Sequence, residues 1–177
     1  MRPDVNLSTH VEDMIKAIEY EDLTEIILVG HSYGGMVVTG VADRIPDRIA
    51  HLVYLDAQLP QDGQSWHDLN RGRTPPPPPP LETLAPEDRA DVLRMTEQPP
   101  ETRAEKIRLE MPIEKRRFTR TFIKATGSPR PPQGSSIWEA ADRVKEDPDW
   151  RYRALPTGHA AQMTMPNEFV ALLLELV

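Results

Sequence analysis

The chain has 177 residues, 38% hydrophobic and 28% charged, which is enough apolar material for one globular domain with a core. It contains no cysteine, which excludes disulfides, a thiolate nucleophile and cysteine-ligated zinc or iron–sulfur sites. A formal charge of −7 argues against a nucleic-acid partner, and no apolar stretch reaches the roughly 18 residues a membrane helix needs.

Thr9-His10-Val11-Glu12 has the T-x-x-E form of a capping box, and Val11, Met14, Ile15 and Ile18 then recur at helical spacing. This predicts a helix over about residues 10–20. Ile26 to Val29 is a short, continuous, β-branched apolar run, the pattern of a strand buried on both faces of a parallel sheet. It runs into Gly30-His31-Ser32-Tyr33-Gly34, a match to G-x-S-x-G, and then into a helix over 36–43 that Ile45-Pro46 closes. His51 to Leu55 reads as a second buried strand, ending at Asp56. Strand, helix and strand at these lengths form a βαβ unit with parallel pairing and a right-handed crossover.

From residue 60 to 117 the chain changes character, with much of its 19 prolines here and an unbroken run from Pro75 to Pro80. Such a run donates no backbone hydrogen bonds and is expected to be exposed polyproline II, a spacer rather than an SH3-type ligand. "APEDRADVLRM" and "PETRAEKIRLEM" read as short helices, so this segment is expected to be an inserted, partly helical cap. The basic run "KRRFTR" at 115–120 is read as a solvated face beside a strand. Regular alternation then resumes with a strand over 120–125, a helix over 137–145, a strand over 150–156 and a closing helix that Pro166 starts. The predicted fold class is α/β: a parallel sheet flanked by helices, with core segments 1–59 and 118–177 separated by the cap, 60–117.

A serine hydroxyl becomes nucleophilic only beside a base, and it must stand clear of the backbone to reach a carbonyl carbon. A sharp strand-to-helix turn exposes it, and glycines at 30 and 34 would relieve the crowding such a turn creates. The turn puts the Tyr33 N–H at a helix start, where it can donate to an oxyanion. Tyr33 and His31 are therefore the candidate oxyanion and substrate-binding positions, with the His31 side chain expected to be turned elsewhere. The lysine of a phosphate-binding G-x-x-x-x-G-K-[ST] loop is missing, and no cofactor or metal is expected. Of the five histidines, His159 in "LPTGHAAQM" follows the final strand and precedes the final helix, which makes it the candidate base for Ser32.

"VGHSYGGMVVTGVADRIPDRIAHLVYLDAQLPQDGQS" together with "LPTGHAAQMTMPNEFVALLLEL" resembles the α/β-hydrolase superfamily, in particular small bacterial esterases related to plant hydroxynitrile lyases and methyl-salicylate-type esterases. The resemblance implies a Ser–His–acid triad in that chain order, with Ser32 as nucleophile and His159 as base. The superfamily's commonest place for the acid lies just beyond Ala125, where "TGSPRPPQGSS" holds no carboxylate. Asp56, at the C-terminal end of the strand after the nucleophile's helix, is the favoured acid, with Glu139 and Asp142 as alternatives. The expected activity is that of a serine carboxylesterase on small, apolar esters. The alternatives are a hydroxynitrile-lyase-like C–C lyase, for which Lys124 is the nearby lysine, and a catalytically weak chain acting as a binding protein. The superfamily's earlier strands and their His-Gly loop have no counterpart here, so an N-terminally truncated sheet with an open edge is expected, and with it a homodimer across that edge. "MRPDVNLSTH" has no signal-peptide architecture, and a cytoplasmic location is the expectation.

Overall fold

The computed structural model describes residues 5–73, 80–83, 98–131 and 134–176. The polyproline run and the helix expected at "APEDRADVLRM" fall almost wholly outside these residues.

Four strands, β1 (Ile26–His31), β2 (Ile49–Leu55), β3 (Thr119–Ala125) and β4 (Arg151–Leu155), form one sheet in the order β1-β2-β3-β4, and every neighbouring pair is parallel. Parallel pairing needs crossovers that cover the faces, and side chains of successive residues point to opposite faces. The burial follows this period of two. Leu28, Leu52, Tyr54 and Phe122 join one core cluster, while Val53, Leu55 and Ile123 join the other. The first cluster is closed by α1 (Leu7–Tyr20), α2 (Gly34–Arg44) and α5 (Ser136–Lys145). The second is covered by α7 (Pro166–Leu174), which brings Phe169, Leu172 and Leu173 against it. Each run that looked uniformly apolar therefore feeds two separate cores. Among the described residues β1 is an edge strand, paired with β2 alone.

The first helix starts earlier than the T-x-x-E pattern indicates. Asn6 is the N-cap, its side chain accepting from the Thr9 N–H at 2.9 Å while Thr9 Oγ1 accepts from the Asn6 N–H at 3.2 Å. Thr9 thus holds the third helical position of the capping box, because asparagine caps as well as threonine and lets Leu7 reach the core.

In the cap, Trp66–Leu69 (α3) and Pro100–Ala104 (α4) are single turns. The helix expected over "PETRAEKIRLEM" stops at Ala104. Beyond it the chain is extended, with Ile107 N–H donating to Gln64 O and Gly63 N–H to Ile107 O, both at 2.9 Å. The alternation of Ile107 and Leu109 with charged residues suits that extended course, which packs both against the first core. Asp43, buried at the end of α2, pins the next segment by accepting from the Glu110 N–H at 2.9 Å and pairing with Arg116. Arg116 is thus the partner of a buried carboxylate, and Arg120 is itself buried, so the basic run is only partly a solvated face. No helix among the described residues is long and apolar enough to cross a membrane.

Candidate active site

The C-terminal ends of parallel strands share one edge of the sheet, and the chemistry-bearing residues gather there. β1 ends at His31 and α2 begins at Gly34, leaving two residues to reverse the chain. Ser32 makes that turn in the left-handed region, at φ +55°, a conformation that costs a non-glycine residue on the order of 1 kcal/mol or more. The turn is held from both sides: the Ser32 N–H donates to Leu55 O at 3.4 Å, and Ser32 O accepts from the Gln58 N–H at 2.9 Å and the Gly35 N–H at 3.2 Å. The Tyr33 N–H has no backbone acceptor among the described residues and sits at the head of an eleven-residue helix. That is the geometry of an anion-accepting donor.

Close approach explains the glycines, although not the pair that the motif suggests. A Cβ on Gly30 would lie 2.6 Å from Val38 Cγ2 and 2.7 Å from Gly34 O. A Cβ on Gly34 would meet nothing within 4 Å, whereas one on Gly35 would lie 1.9 Å from the carbonyl oxygen of Gln58. The crowded side of the turn is thus Gly35, where the strand-end loop after β2 lies against the start of α2.

Asp56 follows β2 and also adopts a left-handed conformation, at φ +42°. Its N–H donates to Ile123 O at 2.7 Å, which fixes the backbone. One carboxylate oxygen, Oδ2, lies 2.6 Å from His159 Nδ1, and the other, Oδ1, accepts from Lys124 Nζ at 2.7 Å and from the Ala125 N–H at 3.3 Å. Asp56 is 5% exposed and Lys124 is 3% exposed. Burial works against the charged carboxylate, but hydrogen bonds and charge from His159 and Lys124 outweigh it and hold the Asp56 carboxyl below its ordinary range. Glu139 pairs instead with Arg71 and Asp142 with Arg130, both on exposed surface. Neither alternative acid reaches the histidine.

His159 sits on the loop between β4 and α6 (Ala161–Thr164). That loop is tied to the one after β3, since the Gly127 N–H donates to Thr157 O at 2.7 Å. Contrary to expectation, the His31 side chain is not turned elsewhere. Its ring lies 4.5 Å from the His159 ring, centroid to centroid, and its Nε2 is 2.8 Å from His159 O. Burial lowers the pKa of His31, favouring the neutral ring that can pack there. The Tyr33 side chain leads away from the site, its hydroxyl donating to Thr102 O at 3.2 Å with His10 Nδ1 also at 3.2 Å. Only the backbone of Tyr33 is left to serve the site. No hydrogen bond joins Ser32 Oγ to His159 Nε2 among the described residues, a looseness common where no substrate is bound.

Beside the Asp56–His159 contact opens a pocket of about 160 Å³, lined by Lys124, Pro129, Ile137 and Trp138 among others. The Lys124 ammonium lies 4.0 Å from the centre of the Trp138 ring. The lysine had one legible signal in the sequence: it is the lone cation inside the buried segment "TFIKA", and a buried cation requires a partner.

The Alpha/beta hydrolase family model matches residues 2–172, and the chain belongs to that family. Over 73 residues it is 55% identical to a carbendazim hydrolyzing esterase of Nocardioides sp. (strain SG-4G), a match covering 41% of this chain and 30% of that esterase's length. An extracellular alpha/beta-hydrolase from a Paenibacillus species, described as sharing structural and functional homology with tobacco salicylic acid binding protein 2, superposes with a TM-score of 0.71 at 22% identity, over 99% of this chain and 81% of its own. A methylesterase from Arabidopsis gives a TM-score of 0.66, also at 22% identity, over 96% of this chain and 77% of its own.

Proposed function

We propose that the chain is a serine carboxylesterase in which Ser32, His159 and Asp56 form the catalytic triad. The observation that carries this reading is the 2.6 Å contact between Asp56 Oδ2 and His159 Nδ1 at the same sheet edge as a serine in a left-handed strand-to-helix turn. With its Nδ1–H donating to Asp56, the imidazole presents Nε2 as the base. Nε2 takes the Ser32 hydroxyl proton as Oγ attacks the ester carbonyl, and the Tyr33 N–H stabilises the oxyanion that forms. The imidazolium then returns its proton to the departing alkoxide, leaving an alcohol and an acyl-serine. Water, deprotonated by the same imidazole, hydrolyses the acyl-serine to a carboxylic acid and restores Ser32.

The Asp56 carboxylate stays ionised and stabilises the imidazolium in both steps. Small, apolar esters are the proposed substrates, a reading supported by the likeness to an esterase. The name of the Nocardioides esterase makes carbendazim the first specific substrate to assay. The test is Ser32→Ala: turnover of p-nitrophenyl acetate should fall to background with an unchanged circular dichroism spectrum, and activity persisting in that variant contradicts the reading.

A further inference from the structure

The mechanism above uses His159 and one oxygen of Asp56, and leaves unexplained a lysine that is almost completely buried at the centre of the site. We propose that Lys124 is a positioning residue, whose ammonium clamps the second oxygen of Asp56 so that the first is aimed at His159 Nδ1; this rests on the esterase reading.

The clamp has three parts. Lys124 Nζ donates to Asp56 Oδ1 at 2.7 Å and to Ala125 O, and the face of Trp138 lies 4.0 Å from it on α5. Those contacts leave the ammonium little freedom. A carboxylate free to rotate about its Cβ–Cγ bond could offer either oxygen to the imidazole. With Oδ1 held by Lys124 and by the Ala125 N–H, rotation would break two hydrogen bonds at once. Lys124 is at the C-terminal end of β3, one residue before the strand ends, so its backbone is fixed by pairing with Ala154 of β4 and, through its neighbour Ile123, with Leu55 of β2.

Charge acts in the same direction as geometry. Ionisable groups around the Asp56 carboxylate are His159 from the loop after β4, His31 from β1, Lys124 from β3 and Tyr152 from β4, and α5 contributes the uncharged Trp138. Lys124 is the one amine among them. Without it, burial of Asp56 would be opposed only by His159 and the Ala125 N–H, and the Asp56–His159 pair would take up a proton more readily as pH falls. A protonated pair cannot accept the serine proton. A lysine serving only to fill space would leave no such trace.

The experiment measures kcat/KM and kcat for p-nitrophenyl acetate from pH 5 to 9 in the wild type, Lys124→Met and Lys124→Arg. In Lys124→Met the loss should be about tenfold at pH 8 and grow to about thirtyfold or more at pH 6, as the protonated pair gains population. It should be expressed in kcat more than in KM, and Lys124→Arg, which keeps the cation, should return the pH dependence toward the wild type. If Lys124→Met is not recovered folded, Lys124→Gln, which keeps a donor but no charge, must show the same loss growing toward acid. A loss equal at every pH, a loss confined to KM, or no loss in the uncharged variants overturns the proposal. Ser32→Ala in the same assay separates the two claims: if it is inactive, the esterase reading stands whichever way the Lys124 variants fall, and if it is active, both fall.

Discussion

Replacing Asp56 by asparagine should damage stability and activity through different partners, and the two losses can be pulled apart. The substitution keeps the size of the side chain but removes the charge between His159 Nδ1 and Lys124 Nζ, contacts of 2.6 and 2.7 Å. Lys124, 3% exposed, would keep the amide oxygen, the Ala125 carbonyl and the Trp138 face as neutral partners but no counter-charge. Breaking a buried ion pair by removing one partner costs about 3–5 kcal/mol, because the other charge is left uncompensated. Asp56→Asn should therefore lose about 3 kcal/mol of unfolding free energy in urea. Its kcat should fall by about 10⁴, since an amide favours the wrong imidazole tautomer and does not stabilise the imidazolium. Adding Lys124→Met removes the orphaned cation and should return most of the stability and none of the activity. The assay is urea denaturation followed by circular dichroism, run beside p-nitrophenyl acetate turnover on the same samples. The reasoning is refuted if Asp56→Asn unfolds at the wild-type urea midpoint, or if the double variant is no more stable than the single one.

The glycines of the serine turn should separate in the opposite sense to the motif. Gly34→Ala should leave the melting temperature within a few degrees of wild type, while Gly35→Ala, whose Cβ would sit 1.9 Å from a backbone oxygen, should lose about 3 kcal/mol or more, read by thermal melts. Acid should destabilise the fold before the carboxylates titrate. Burial lowers the pKa of His31 and His51, so below about pH 6.5 the unfolded chain binds protons that the folded chain refuses, and stability should fall as pH drops from about 7 to 5. A second loss should follow below about pH 4, where the depressed Asp56 carboxyl still resists protonation in the folded state, and urea midpoints across this range measure both.

The elements most legible in the sequence were those whose pattern reports burial directly. The β-branched run at 26–29, the run ending at Asp56 and the strand before His159 all form, in the expected parallel order, because a strand covered on both faces leaves an unbroken apolar run. The expectation that Asp56 reaches His159 rested on the resemblance, on the lack of a carboxylate just beyond Ala125 and on topology, since strand ends of one parallel sheet share an edge. What escaped was set by contacts far apart in the chain. Periodicity says nothing about which way the His31 ring turns, and it turns onto His159. The motif marks Gly34, whereas the close approach occurs at Gly35, because the crowding atom belongs to Gln58 on another loop. The cap helix stopped short because pairing of Ile107 with residues 63 and 64 outweighs a weak local preference for helix. The Lys124 clamp could have been anticipated from the lone cation within "TFIKA", but its partner only from the fold.

The central claim is that this turn and this imidazole activate one serine, and an active-site-directed fluorophosphonate tests it most directly. Intact mass and peptide mapping of the treated protein should show a single adduct, on Ser32, formed at neutral pH and reduced by about 10³ or more in rate in His159→Ala. No adduct, an adduct on another residue, or equal labelling in His159→Ala would contradict the account.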